Sequence, residues 1–442
     1  MTETDYEFLT ESSLGDYIRS KPHLAARIDV DHLVRCDEVG DGNLNMVFLV
    51  EDRQGRGLCI KQALPWVRMT GEGWPMTPDR ARHEAESLIA HHALVPDLVP
   101  AVHEFDADRH IIVMEDLSDH EVWRGALCRG EQHEGAAAAV GTYVGAVAFG
   151  TGLFGMDRHE LAEAIARSVD ADLCTITEDL VFTEPLVDAG RNVVLAANEP
   201  DVAEFQADVE MMRAMGQAKW MFMTHAEALI HGDLHTGSVM VRRAPGSGAT
   251  DSVKAFDSEF AFYGPVAFDL GALFANYVIA AARAYALGED ARAEWCLGLV
   301  EETWTGFEAE FRRRWPGRVD PRVFGEDFLQ RRLATWRSEA WLFAAAKMSR
   351  RIIGAAKTKD IESLPEDLRE GAARGVLRVS RRLVRLRDVD PSPAHLSAIA
   401  AEELVTARTN GARASGSGTD SAGTEAAGTS GARTGTGDAR RS

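Results

Sequence analysis

The stretch Leu229-Ile-His-Gly-Asp-Leu-His-Thr-Gly-Ser-Val-Met-Val241 decides the reading of this chain. An apolar run enters a tight His231-Gly232-Asp233 turn and a second apolar run follows, so the pattern predicts two short strands with Asp233 held at a rigid end. Phosphoryl transfer to a hydroxyl needs a carboxylate that accepts the hydroxyl proton and aims the oxygen at the γ-phosphate, and Asp233 suits that role. Taken alone, the tripeptide reads equally well as an ordinary turn.

The next block downstream removes much of that ambiguity. Val253-Lys-Ala-Phe-Asp-Ser-Glu259 reads as a strand ending in carboxylates at i and i+2. Mg²⁺ in a nucleotide site prefers one or two carboxylates plus phosphate oxygens, a demand that Asp257 and Glu259 meet. An Asp-x-Glu at a strand end is usually a solvated turn, but the two blocks in this order match the catalytic and metal segments of kinase-like folds.

Upstream, Val34–Val39, Met46–Glu51 and Leu58–Ala63 read as short strands separated by Gly-rich turns. The first turn, Gly40-Asp-Gly-Asn43, lets backbone N–H groups at Gly40 and Gly42 approach phosphates closely, although a plain hairpin has the same look. Lys61 on the following strand can reach the α/β-phosphates of ATP. A carboxylate must hold it, and Glu84 on the helix predicted over 79–93 is placed for that, with Glu86 as the alternate. After the apolar strand His110–Glu115, the Glu115-Asp-Leu117 backbone is positioned to read an adenine edge.

From about residue 120 the pattern turns helical, at 157–170, 203–229, 267–287, 291–312, 325–356 and 366–387, interrupted by a β-rich island over 229–262. The predicted fold class is therefore α+β and bilobal. A small β-rich N-lobe (1–117) binds nucleotide and a larger, mainly helical C-lobe (118–408) carries catalysis. The Gly-, Ser-, Thr- and Ala-rich stretch 409–442 has almost no large apolar residue to repay its ordering entropy, so disorder is expected there.

Composition narrows the partners. The formal net charge is -21, which repels phosphate backbones and anionic lipid heads, so neither nucleic acid nor a membrane surface is an expected partner. A nucleotide site must then concentrate Lys, Arg, metal ions and backbone N–H groups locally. Five scattered cysteines without a C-x-x-C pair suit free thiols in a reducing cytoplasm. Gly135–Met156 lacks charge and is long enough to span a bilayer, but Ala and Gly drive insertion weakly, so a buried helical segment is expected.

Six blocks carry a family resemblance: Gly40-Asp-Gly-Asn-Leu-Asn45, Lys61-Gln-Ala63, Gly71-Glu-Gly-Trp-Pro75, Met114-Glu-Asp-Leu117, Ile230-His-Gly-Asp-Leu-His-Thr-Gly-Ser238 and Glu259-Phe-Ala-Phe-Tyr-Gly-Pro265. Together they resemble the S-methyl-5-thioribose kinases, over roughly residues 10–400. The resemblance implies a protein-kinase-like fold and ATP-dependent phosphorylation of the anomeric hydroxyl of 5-methylthioribose, within methionine salvage, by a cytoplasmic homodimer. It implies that Asn45, Lys61, Glu115, Asp116 and Leu117 touch ATP, that Asp233 is the base, and that Asp257 and Glu259 hold Mg²⁺. It further implies that Arg350 and Arg351, in Ser349-Arg-Arg-Ile-Ile-Gly354, lie near the transferred phosphate and sugar. The planar guanidinium fork suits a transferring phosphoryl group. Trp74 would help close the sugar site; of the flanking histidines, His231 is expected to support the loop by hydrogen bonding, and His235 is the candidate for contact with the sugar.

Two departures stand out. Ser258 occupies the place where proline is expected in the metal loop, which removes a fixed φ. Ser238 occupies a place where many kinases of the wider superfold have Asn; it matches the thioribose kinase block and leaves more of the metal work to Glu259. Asp269 is expected to cap the following helix and tie down the catalytic loop. Rival readings are a choline, homoserine or aminoglycoside kinase of the same superfold, or a non-catalytic ATP-binding protein.

Overall fold

The structure, a computed structural model, describes residues 6–40, 44–66, 73 and 75–416, with side chains described through 408. Gly42, Trp74 and the 417–442 part of the C-terminal stretch therefore lie outside the described residues. The fold is α+β and bilobal, with a β-rich N-terminal part and a mainly helical remainder.

The N-lobe opens with α1 (Leu14–Ser20) and α2 (Pro22–Ala25), followed by β1 (Leu33–Glu38), β2 (Asn45–Asp52) and β3 (Gly57–Ala63). Helix α3 (Arg80–Leu94), β4 (Val102–Asp106) and β5 (Ile111–Glu115) complete it. The strands form one antiparallel sheet in the order β1-β2-β3-β5-β4. Strand β4 has no counterpart in the sequence reading. None of its residues is fully buried, so the apolar signal is weak, and pairing with β5 makes the strand. Side-chain alternation divides the sheet between two cores. Ile111 and Val113 pack with Leu14, Tyr17 and Ile18 of α1 on one face. Ile112 and Met114 face Ala81, Ala85 and Leu88 of α3 on the other.

The C-lobe runs through β6 (Glu121–Val122), α4 (Trp123–Arg129), α5 (Ala136–Gly150), α6 (Arg158–Arg167), α7 (Ala171–Thr177), α8 (Glu199–Gln206) and α9 (Val209–Thr224). Strands β7 (Ala228–Ile230), β8 (Val239–Arg243), β9 (Thr250–Ala255) and β10 (Phe262–Gly264) form the β island. Helices α10 (Val266–Ala286), α11 (Asp290–Arg314), α12 (Glu326–Ile353), α13 (Lys359–Glu362), α14 (Glu366–Leu386) and α15 (Pro393–Gly416) follow. The predicted helix 203–229 resolves into α8, α9 and the start of β7, because Asp208 interrupts it. Asp208 caps α9 by accepting from the Glu210 and Met211 N–H groups. Helix α15 runs past Thr409, where disorder was expected to begin.

The uncharged 135–156 stretch forms α5, a buried helix packed on α11. A Cβ on Gly141 would sit 2.1 Å from the Thr303 carbonyl oxygen, so the close crossing needs glycine. One described helix, Val266–Ala286, is long and apolar enough to cross a membrane, and 94% of its most apolar window is buried inside the fold.

The β island places the site. Strand β7 pairs with β10, and β8 pairs with β9. The loop between β7 and β8 carries Asp233, and the loop between β9 and β10 carries Asp257 and Glu259. Pairing at both ends forces the two loops against each other. Gly232 shows how closely: its φ is +83°, and a Cβ there would lie 2.0 Å from the Phe260 carbonyl oxygen.

Candidate active site

Asp233 is held from several directions. The Asp269 carboxylate, in the first turn of α10, accepts the His231 and Gly232 backbone N–H groups at 2.8 and 3.1 Å. Asp269 thus ties down the loop as expected, but it makes no cap; the N-cap of α10 is Pro265, with no side-chain capping bond. His231 bonds the Phe256 carbonyl at 2.9 Å, linking the loop to the end of β9. The Ser238 hydroxyl donates to the Asp233 carbonyl at 3.1 Å.

The Asp233 carboxylate itself meets cations. Lys347 Nζ lies 2.8 Å from Oδ1, and Arg350 lies 3.9 Å from the same oxygen. Oδ2 faces His235 Nε2 at 3.5 Å. Burial alone would raise the acid, but Lys347, then His235, Arg350 and Arg351, hold it well below the ordinary carboxylate range. Asp233 is therefore ionised. Burial, with Arg124, pushes His235 well below its usual value, so its ring is neutral. The Gly237 N–H donates to Nδ1 at 3.1 Å, which puts the ring proton on Nε2, facing Asp233.

Arg350 and Arg351 occupy the last turn of α12, where the helix dipole favours cations. Arg350 Nε is buried without a hydrogen-bond partner, an orphan donor close to Asp233 and suited to an oxyanion. Arg351 donates to the Ala356 carbonyl at 3.3 Å. Burial, Arg350 and Arg124 lower its pKa to about 9, a measure of how much positive charge is gathered there. This is the local concentration of cations that a chain of charge -21 needs around a phosphate.

A second cluster gathers carboxylates. Lys61 pairs with Glu84 at 2.7 Å and also with Asp257. Glu86 instead faces Arg82 at 3.3 Å. Burial works against charge on Lys61, but Asp257, Glu84 and Glu259 outweigh it and hold the ammonium above its ordinary range. Ligand oxygens of Glu84, Asp257 and Glu259 lie within 4.8 Å of one another. Burial raises the pKa of Glu84 to about 7 and that of Glu259 above the ordinary carboxylate range, a cost that a bound cation would offset, and the three hard oxygen donors are of the type Mg²⁺ takes. Asp257 has φ +66°, a left-handed conformation that costs a non-glycine residue about 1–3 kcal/mol and collects at functional sites. Asn45 donates to Glu259 Oε2 at 2.7 Å, so in this structure Asn45 meets the metal loop.

The remaining candidates are placed as follows. Gly40 is described, and a Cβ there would meet nothing within 4 Å, so space does not demand glycine. The Glu115 N–H bonds the Ala101 carbonyl at 2.8 Å. The Glu115 carboxylate accepts the Ala101 N–H at 3.1 Å and lies 3.4 Å from Lys254 of β9. The Ala101 bonds hold Glu115 within the N-lobe, and its carboxylate alone reaches across to the C-lobe, at Lys254. Asp116 accepts from the Ser118 N–H at 2.8 Å, and Leu117 is buried.

Four groups escaped the sequence reading. Arg80 is fully buried and reaches the Leu44, Leu64 and Thr77 carbonyls and Asn45 Oδ1 at 2.7–2.9 Å. Its Nε lies 3.5 Å from Glu259. The Ser87 hydroxyl bonds the Ser258 hydroxyl at 2.8 Å, both fully buried. A side-chain tether thus takes the place of a proline's fixed φ in the metal loop. His91 bonds the Leu229 carbonyl at 2.8 Å, and Tyr143 at 2.9 Å. Arg80, Glu84, Ser87 and His91 recur at i, i+4, i+7 and i+11, one polar stripe along the face of α3. That spacing was readable, but four polar residues on a helix ordinarily signal solvent. Lys347, the fourth, is a lone charge after the apolar run Trp341-Leu-Phe-Ala-Ala-Ala346, which was its available signal.

The profile of the phosphotransferase enzyme family matches residues 36–307. Methylthioribose kinase of Klebsiella pneumoniae subsp. pneumoniae is 37% identical over 373 residues, covering 80% of this chain and 89% of that protein. Methylthioribose kinase of Pectobacterium atrosepticum is 37% identical over 376 residues, 81% of this chain and 90% of that one. Among solved structures, a choline kinase from Cryptosporidium parvum aligns with TM-score 0.48 and 11% identity, over 87% of this chain and 98% of that one.

Proposed function

The chain belongs to the methylthioribose kinase family of small-molecule phosphotransferases, and on that premise we propose that it transfers the γ-phosphate of ATP to the 1-hydroxyl of 5-methylthioribose. The observation that carries this reading is the ionised Asp233 carboxylate set among Lys347, Arg350 and Arg351. Such an arrangement suits a neutral, hydroxyl-bearing acceptor that becomes a phosphate ester. It disfavours a cationic acceptor such as choline or an aminoglycoside.

Asp233 orients the acceptor hydroxyl and takes its proton as the oxygen attacks phosphorus and the bond to ADP breaks. Arg350 and Arg351 stabilise charge on the transferred group. Lys61, held by Glu84, neutralises the α/β-phosphates. Asp257 and Glu259 would hold Mg²⁺, which supplies neutralisation of phosphate charge when bound. Gly40, Gly42 and Asn45 line the phosphate side, and the Glu115–Leu117 segment lies along the adenine. Trp74 and His235 contact the sugar. The products are 5-methylthioribose 1-phosphate and ADP, a step of methionine salvage, and the reading includes a cytoplasmic homodimer. The lobes divide at 117/118.

The test is ADP release with Mg²⁺-ATP and 5-methylthioribose, run beside ribose, choline, homoserine and an aminoglycoside. Turnover confined to methylthioribose is expected. Turnover on another acceptor instead would discard the substrate assignment, and ATP binding without any turnover would point to a non-catalytic role.

A further inference from the structure

Lys347 is buried on α12, one helical turn before Arg350 and Arg351, so all three project from the same face. Its ammonium sits 4.4 Å above the Phe268 ring of α10 and 2.8 Å from Asp233 Oδ1. The bond makes the two carboxylate oxygens unequal. Oδ1 is engaged by Lys347, with Arg350 behind it, whereas Oδ2 has only a long approach from a neutral His235. We propose that Lys347 is a positioning residue for phosphoryl transfer: it keeps Asp233 ionised, fixes its rotamer, and leaves Oδ2 as the oxygen that receives the acceptor proton. This rests on the kinase reading of the site given above. In the step itself, the acceptor O–H bond breaks and its proton passes to Asp233 Oδ2. The freed electron pair forms the new O–P bond as the O–P bond to ADP opens, and Lys347 stays protonated.

Every element around Asp233 contributes charge, and the balance matters. Helix α12 supplies Lys347, Arg350 and Arg351; the catalytic loop supplies His231 and His235; α10 supplies Asp269; α4 supplies Arg124; and α13 supplies Asp360, which lies 3.7 Å from Arg124. Burial first, then Arg350 and Arg351, lower the Lys347 pKa to about 8 against the pull of Asp233. An ammonium under that pressure keeps its proton because Asp233 is ionised, and Asp233 is ionised because the ammonium is there.

Two measurements test this. The chain has seven lysines, so selective ¹³Cε labelling gives a countable set of resonances, and the one absent from Lys347→Arg is Lys347. Its titration midpoint is expected near pH 8, a range that Lys357 shares, so the resonance lost in Lys347→Arg separates the two; in Asp233→Asn, where the counter-charge is gone, the Lys347 midpoint is expected lower still while that of Lys357 stays in place. A midpoint at the ordinary lysine value, unmoved by Asp233→Asn, overturns the proposal. In kinetics, Lys347→Met should move the acid limb of kcat/KM to higher pH, because Asp233 loses the charge that keeps it ionised, and lower kcat about tenfold or more. Lys347→Arg should keep the acid limb in place while kcat stays reduced, since charge survives and the single-point geometry does not. Coincident acid limbs in wild type and Lys347→Met also overturn the proposal. Absence of wild-type turnover on every acceptor would count against the proposed function alone, and the lysine titration would then decide the role of Lys347.

Discussion

Replacing Arg80 with methionine tests whether the N-lobe and the metal loop are one electrostatic unit. Methionine fills similar space on α3 but donates nothing. The change strips hydrogen bonds from the buried Leu64 carbonyl, the partly buried Leu44 and Thr77 carbonyls and Asn45 Oδ1, and removes a counter-charge 3.5 Å from Glu259. Hydrogen bonds to a charged donor are worth about 1.5–3 kcal/mol each. Relaxation and entering water return part of the sum, and removing one partner of a buried charge pair costs about 3–5 kcal/mol. Against a total stability of about 5–15 kcal/mol, that is a large fraction. The midpoint of thermal unfolding should fall by about 5 °C or more at fixed protein concentration. Asn45, released by Arg80, should also let Glu259 swing, so the KM for Mg²⁺-ATP should rise. Arg80→Lys, which keeps the charge but loses the fork, should fall between. An Arg80→Met protein that melts within about 1 °C of wild type and binds ATP equally well would refute the reasoning.

Other expectations follow from the same geometry. Asp233→Asn should abolish turnover and leave ATP binding largely intact; loss of ATP binding would make the residue structural. Ser87→Ala or Ser258→Ala should cost about 1 kcal/mol and raise the KM for Mg²⁺-ATP several-fold, with the double variant no worse than either single one, as a double-mutant cycle would show. His91, buried and neutral, has its pKa pushed down to about 3 by burial. The unfolded chain binds a proton at this position below about pH 6.5 while the folded chain does not, so stability present above that pH is lost as pH falls toward 3, by about 1.4 kcal/mol per unit. His91→Gln, which can still donate to Leu229, should flatten that part of the melting-temperature profile between pH 6.5 and 4, and parallel profiles would contradict it.

Much of this molecule was legible in one dimension. The Gly-separated β runs, the Asp233 turn, the Asp257-Ser-Glu259 strand end and the long helical tracts each rest on local chemistry: turn residues, period-two alternation, and carboxylates at strand ends. The pairing of Lys61 with Glu84 was also foreseeable, because a charged residue on a core strand needs a partner on the helix above it. What escaped was of another kind. Arg80, Ser87 and His91 look like the solvent face of α3 until the metal loop and β7 are packed against it. Whether a polar stripe is wet or buried depends on what covers it, and the covering residues lie far away in the chain.

By itself, then, the sequence determined the division into a β-rich and a mainly helical part, the two loops that carry carboxylates, and the phosphoryl-transfer chemistry those loops suit. Only the tertiary structure decided which charges meet. Asp233 and Lys347 are separated by 114 positions, and their bond exists because α10 seats α12 beside the catalytic loop. A lysine in an apolar helix is unfavourable in isolation, and it becomes tolerable only where the fold brings a buried carboxylate to it.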